Sequence, residues 1–114
     1  MTTLTIQQLF TPVVLGTSSG VIFSMPTNPA TSTLKNARMR LTNTTGATAS
    51  VTLYVAPSAT ASAPANCFMS ARSVAANDSI EVDIPTMAAG DTLRGLSGTA
   101  ASITCHEMGG VIYS

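Results

Sequence analysis

Apolar and polar residues alternate with a period of two along much of the chain, the spacing of a strand with one face buried. In Leu34–Asn43, Ala37, Met39 and Leu41 fall on one side and Arg38, Arg40 and Thr42 on the other. Val51, Leu53 and Val55 repeat the pattern opposite Thr52 and Tyr54. The intervening Asn43-Thr-Thr-Gly46 predicts a hairpin between these two segments, with one buried face. Cys67–Val74 fits a strand or a short helix, and the strand is preferred because Ala75-Ala-Asn-Asp78 then turns it into Ile80-Glu-Val-Asp-Ile84. The last third, with Gly90-Asp91 as punctuation, reads as consecutive antiparallel strands closing on a Gly109-Gly110 bulge or bend before Val111. Earlier in the chain, Thr3–Ile6 alternates, Val13–Leu15 is a short apolar run, and Val21–Met25 is a strand that Pro26 stops.

No window carries helical periodicity. The pattern predicts an all-β protein, an antiparallel β-sandwich or jelly roll of roughly seven to nine strands. At 114 residues the chain builds one core, hence one domain. Residues 1–33 form an N-terminal arm with the first strands, and residues 34–114 form the sandwich body. Pro57–Pro64, made of Ala, Ser, Thr and Pro, is expected to be an exposed, mobile loop.

Charge narrows the functional classes. The net charge is zero and 9% of residues are charged, which excludes nucleic acid as the main partner, because phosphate binding relies on surplus Lys and Arg. Every apolar run is interrupted well before the length of a membrane-spanning helix, so no membrane partner is expected. The first residues lack a basic start and an apolar stretch, so no signal peptide is expected. With one lysine, Lys35, the strand edges are little guarded against pairing with other chains, which points to a homo-oligomer, a cyclic trimer being one closed solution.

Candidate chemistry is sparse. Gly16-Thr-Ser-Ser-Gly20 matches the letters of a nucleophile elbow, but no helix follows, so it reads as a turn. His106 neighbours Cys105, yet adjacent strand residues point to opposite faces, which leaves His106 outside and Ile103 and Cys105 inside. Glu81 and Asp83 share a strand face and read as a solvated pair for Arg38 and Arg40 if the strands are neighbours. Cys67 and Cys105 read as free thiols, or as a disulfide if their strands are adjacent; two Cys and one His are too few for a metal site. The Asn43-Thr-Thr45 and Asn77-Asp-Ser79 triplets read as turns rather than glycosylation sites. No nucleophile, base and orienter come together, so no enzyme and no cofactor are expected.

Leu41-Thr-Asn-Thr-Thr-Gly46, Val51-Thr-Leu-Tyr-Val-Ala-Pro57, Ala65-Asn66 and Met87-Ala-Ala-Gly-Asp-Thr-Leu93 together carry a resemblance. Over roughly Leu34 to Val111 the chain resembles small β-sandwich virion proteins of tailed bacteriophages, most of all capsid decoration (cement) proteins. That resemblance implies a structural subunit on the outer capsid surface, often trimeric, that bridges neighbouring copies of the major capsid protein. Neck, collar or tail-fibre attachment is the alternative, and a carbohydrate-binding module, which would use Tyr54 and Tyr113, a second. The anchors expected to touch the partner are Leu4, Ile6, Leu9 and Phe10, on an arm able to add a strand to a neighbour.

Overall fold

Described in a computed structural model are residues 4–5, 9–27, 30–57, 62–99 and 101–113. Twelve strands run through them: β1 (Leu4–Thr5), β2 (Val13–Val14), β3 (Gly20–Ser24), β4 (Thr33–Lys35), β5 (Ala37–Asn43), β6 (Ala49–Ala56), β7 (Cys67–Val74), β8 (Ser79–Ile84), β9 (Met87–Ala88), β10 (Thr92–Ser97), β11 (Ile103–Glu107) and β12 (Val111–Tyr113). The all-β expectation holds. The strand number exceeds the expected range because bends cut several strands into pieces of two or three residues.

The strands form three antiparallel four-stranded sheets. The front sheet has the order β2-β11-β5-β8, the back sheet β3-β10-β6-β7, and the end sheet β1-β12-β4-β9. Numbering the eight front and back strands one to eight along the chain gives 1-8-3-6 and 2-7-4-5, the order of a jelly roll. Two sequence expectations fail here. β5 and β6 are not a hairpin: β5 pairs with β11 and β8, whereas β6 pairs with β10 and β7. Nor are the strands of the last third neighbours, since β8 and β11 lie in the front sheet and β10 in the back. Alternation tells which face of a strand is buried, but a strand buried against a facing sheet alternates just as one in a hairpin does.

The end sheet continues the front sheet past a bend. β5 pairs with β11 from Asn43↔Ile103 to Met39↔Glu107, and β4 continues in the same register with Lys35↔Val111 and Leu34↔Ile112. The partner side behaves alike, from Ala37↔Ile84 to Leu34↔Met87. The bend falls where each strand can turn: Asn36 at φ 56°, Gly109 at φ 114°, and Pro85 with Thr86 between β8 and β9. Arg38 N–H donates to the Gly109 carbonyl at 2.9 Å and Met108 N–H to the Arg38 carbonyl at 2.8 Å, so the ladder runs unbroken up to the bend.

The core lies between front and back sheets. Met39, Leu41, Ile103 and Cys105 face Val51, Leu53, Val74 and Leu93, all of them fully buried. Leu9, Phe10, Leu15, Ile22, Phe23 and Met25 join the same cluster, so residues 9–25 belong to the sandwich body rather than to a separate arm. Asn43 is the polar exception. Its side chain is fully buried and donates to the carbonyls of Ala47 at 2.7 Å and Val74 at 3.0 Å, while its Oδ1 accepts from Thr45 N–H at 2.9 Å. That network ties the crossing from β5 to β6 onto β7, and it withdraws Asn43 from any glycosylation.

Gly110 is where the bend is tightest. A Cβ there would lie 2.8 Å from Ala37 Cβ, 3.1 Å from Ala37 Cα and 3.1 Å from Leu9 Cδ1. Because part of this obstruction is backbone, Gly110→Ala is expected to destabilise the fold by about 1–3 kcal/mol, measured by chemical denaturation.

Candidate assembly surface

The jelly-roll order places the edge strands in two pairs. β2 ends the front sheet and β3 the back sheet, and the turn Leu15–Ser19 joins them on one flank. β7 and β8 end the same two sheets on the opposite flank, joined by Ala75–Asp78. The two flanks differ in chemistry.

The β7/β8 flank is guarded. Arg72 stands exposed on β7, whose ladder with β6 is broken by irregularities around Ala71, held at φ 47°. On β8 and its neighbour β5, Arg38 meets Glu81 at 3.0 Å and Asp83 at 3.1 Å, and Arg40 meets Glu81 at 2.6 Å. The pairing read from the sequence is therefore formed, through the register Arg38↔Asp83 and Arg40↔Glu81. Charges and bulges of this kind blunt an edge against strand addition. The hydrogen bond from Arg40, with the charges of Arg38 and Arg40, holds the Glu81 carboxyl below its ordinary value of 4.5. Its stabilising effect is therefore present above that value and fades as the pH falls through the lowered one. A Glu81→Gln variant should lose less melting temperature than wild type when the pH is taken from 7 to 3.

The β2/β3 flank is neutral. Neither strand carries a charged residue, and Val14 and Val21 are 57% and 50% exposed. Val14 pairs with Thr104 and Val21 with Arg94, which puts both valines on outer faces. A shift in register between Leu93 and Arg94 bulges β3, which is how both Ile22 and Phe23 come to be buried. Composition had signalled scarce guarding, but which edge lacked it depended on strand order.

The expected anchors are dispersed. Leu9 and Phe10 are each 8% exposed and pack in the chain's own core, the Phe10 ring lying 6.3 Å from that of Phe23. Leu4 lies on β1, whose backbone pairs with β12 of the same chain. Ile6 lies outside the described residues, as do residues 58–61 of the Pro57–Pro64 loop. Gly16–Ser19 is a turn, and His106 is exposed on the outer face opposite Arg40. Tyr54 and Tyr113 sit half-buried in the back and end sheets, so they do not share one aromatic platform. Among the described residues no three His, Cys, Asp or Glu side chains gather to hold a metal ion, and no helix is long and apolar enough to cross a membrane.

The two cysteines belong to different sheets and both are free. Cys105 is fully buried, and burial pushes its thiol up to about 12, leaving it protonated and inert. Cys67 is half-buried on edge strand β7, in an open groove of about 410 Å³ that Thr52, Tyr54, Pro64 and Ser70 also line. A thiol reagent should modify the folded chain once, at Cys67, and a second time only after unfolding, as read by mass spectrometry.

No family model and no curated protein matches the chain. Among solved structures it is similar to a subunit of Bacillus endospore appendages, described as a novel family of disulfide-linked pili. The two share 17% identity at a TM-score of 0.57, over 99% of this chain and 88% of that one. The likeness is one of fold. It nonetheless overturns the capsid-decoration expectation. No finding links the chain to phage proteins or to a major capsid protein, and the protein it resembles builds a pilus.

Proposed function

We propose that this chain is a non-enzymatic structural subunit that assembles with copies of itself into an extended polymer of the pilus kind. The observation that carries this reading is the likeness in fold to a pilus subunit along nearly the whole chain. The flank asymmetry supports it physically. An edge with exposed valines and no charge is an aggregation hazard in a monomer but a usable contact in a polymer.

The polymer proposed is not held by disulfides. A covalently linked chain of subunits needs two reacting thiols on each, one toward either neighbour. Here Cys105 is sealed in the core, and Cys67 alone can join at most two copies. Non-covalent contact through the neutral flank must then carry the assembly.

Purified protein is expected to form elongated particles in negative-stain electron microscopy, unaffected by reducing agent. Val14→Lys combined with Val21→Lys should leave the circular dichroism spectrum unchanged and reduce the particles to monomers in light scattering. Full assembly of that variant would remove the flank from the reading. A wild-type protein that stays monomeric at every concentration would remove the polymer itself.

A further inference from the structure

The chain contains five Lys and Arg residues, and all five lie within strands: Lys35 on β4, Arg38 and Arg40 on β5, Arg72 on β7 and Arg94 on β10. Proteases that cut after a basic residue must draw several residues of extended chain into their cleft, so they cut exposed loop tips and locally unfolded segments. A residue inside a paired strand reaches such a cleft only after its ladder opens.

The placement is stricter than strand membership. β4 lies between β12 and β9, β5 between β11 and β8, and β10 between β3 and β6. Four of the basic residues are thus on strands with a neighbour on both sides: Arg38, Arg40 and Arg94 are themselves paired on both, and Lys35, at the end of β4, is paired with Val111. Arg72 differs, because β7 is the edge of the back sheet and its ladder to β6 is irregular next to Ala71. The connecting segments carry Asp78 and Asp91 as their formal charges, and none offers a basic side chain.

We infer that the folded chain withholds every cleavage site from proteases of trypsin-like specificity, with Arg72 as its one weak point. This is a property of the single subunit and does not depend on assembly.

The test is trypsin digestion of the folded chain, at a concentration where light scattering shows monomers, beside the heat-unfolded chain. The folded protein should be cut at least about a thousandfold more slowly, since cleavage follows the open population. The first cut should fall after Arg72, and Arg72→Gln should abolish it. A Gly46→Lys variant supplies the positive arm. Gly46 is exposed in the β5–β6 loop and a Cβ there meets nothing within 4 Å, so the fold tolerates the lysine. Rapid cleavage at this one new site bears the inference out. Early cleavage of the folded wild type at Lys35, Arg38, Arg40 or Arg94 overturns it.

Discussion

The register of the β4–β5 ribbon is the constraint on which the rest of the fold depends. It is flanked on one side by β11 and β12 and on the other by β8 and β9, and neither pairing slips across the bend at Asn36. A shift of one residue would turn Ala37, Met39, Leu41 and Asn43 outward and bring Arg38 and Arg40 into the core. The same register sets Arg38 and Arg40 against Asp83 and Glu81, so core packing outside the ion pairs and ion pairing outside the core demand one alignment. Asn43 locks the end of the ribbon, because its amide and carbonyl are satisfied only where the chain crosses to the back sheet beside β7.

A bend that keeps its register is an economical way to lengthen a small sandwich. The molecule measures 49 × 26 × 17 Å, long for 114 residues. Three strands of the front sheet leave the sandwich together and continue as β4, β9 and β12 of the end sheet, with Leu34, Met87 and Ile112 buried there. The turn in each strand is met by a residue suited to it: an asparagine in the left-handed region, a glycine at positive φ and a proline between two strands. Gly110 then lets β12 pass close over Ala37, where a side chain would collide.

Much of this was legible in the residues, and the failures have a common cause. Alternation located β5, β6, β8 and β11 and identified their buried faces, because burial against a sheet imprints a period of two whichever sheet is opposite. The same neutrality toward partners hid the topology. Asn43–Gly46 has the composition of a hairpin turn, yet it carries the chain across the sandwich, and only the buried amide of Asn43 distinguishes the two. Leu9 and Phe10 misled for a different reason. Apolar residues beyond a recognisable strand look like anchors for a partner, whereas they fill the core around Phe23. The phage resemblance rested on Leu41–Gly46, Val51–Pro57, Ala65-Asn66 and Met87–Leu93, strand and turn segments that speak for an all-β fold and carry no residue with a role.

The flank chemistry follows from the order of the jelly roll. Strands one and two must end their sheets on one side, and strands five and six on the other, so the two free edges of each sheet can evolve separate surfaces. Here the first pair is short, neutral and valine-bearing, while the second carries Arg72, Glu81 and Asp83. A chain with zero net charge gains little solubility from electrostatic repulsion between copies, so where its few charges sit matters more than how many there are. Most of them sit on the front-sheet face and the far flank; the edge strands β2 and β3 carry none, and the nearest across a strand is Arg94, opposite Val21. Such an edge, with exposed valines beside unpaired backbone, is the one on this molecule least guarded against strand addition.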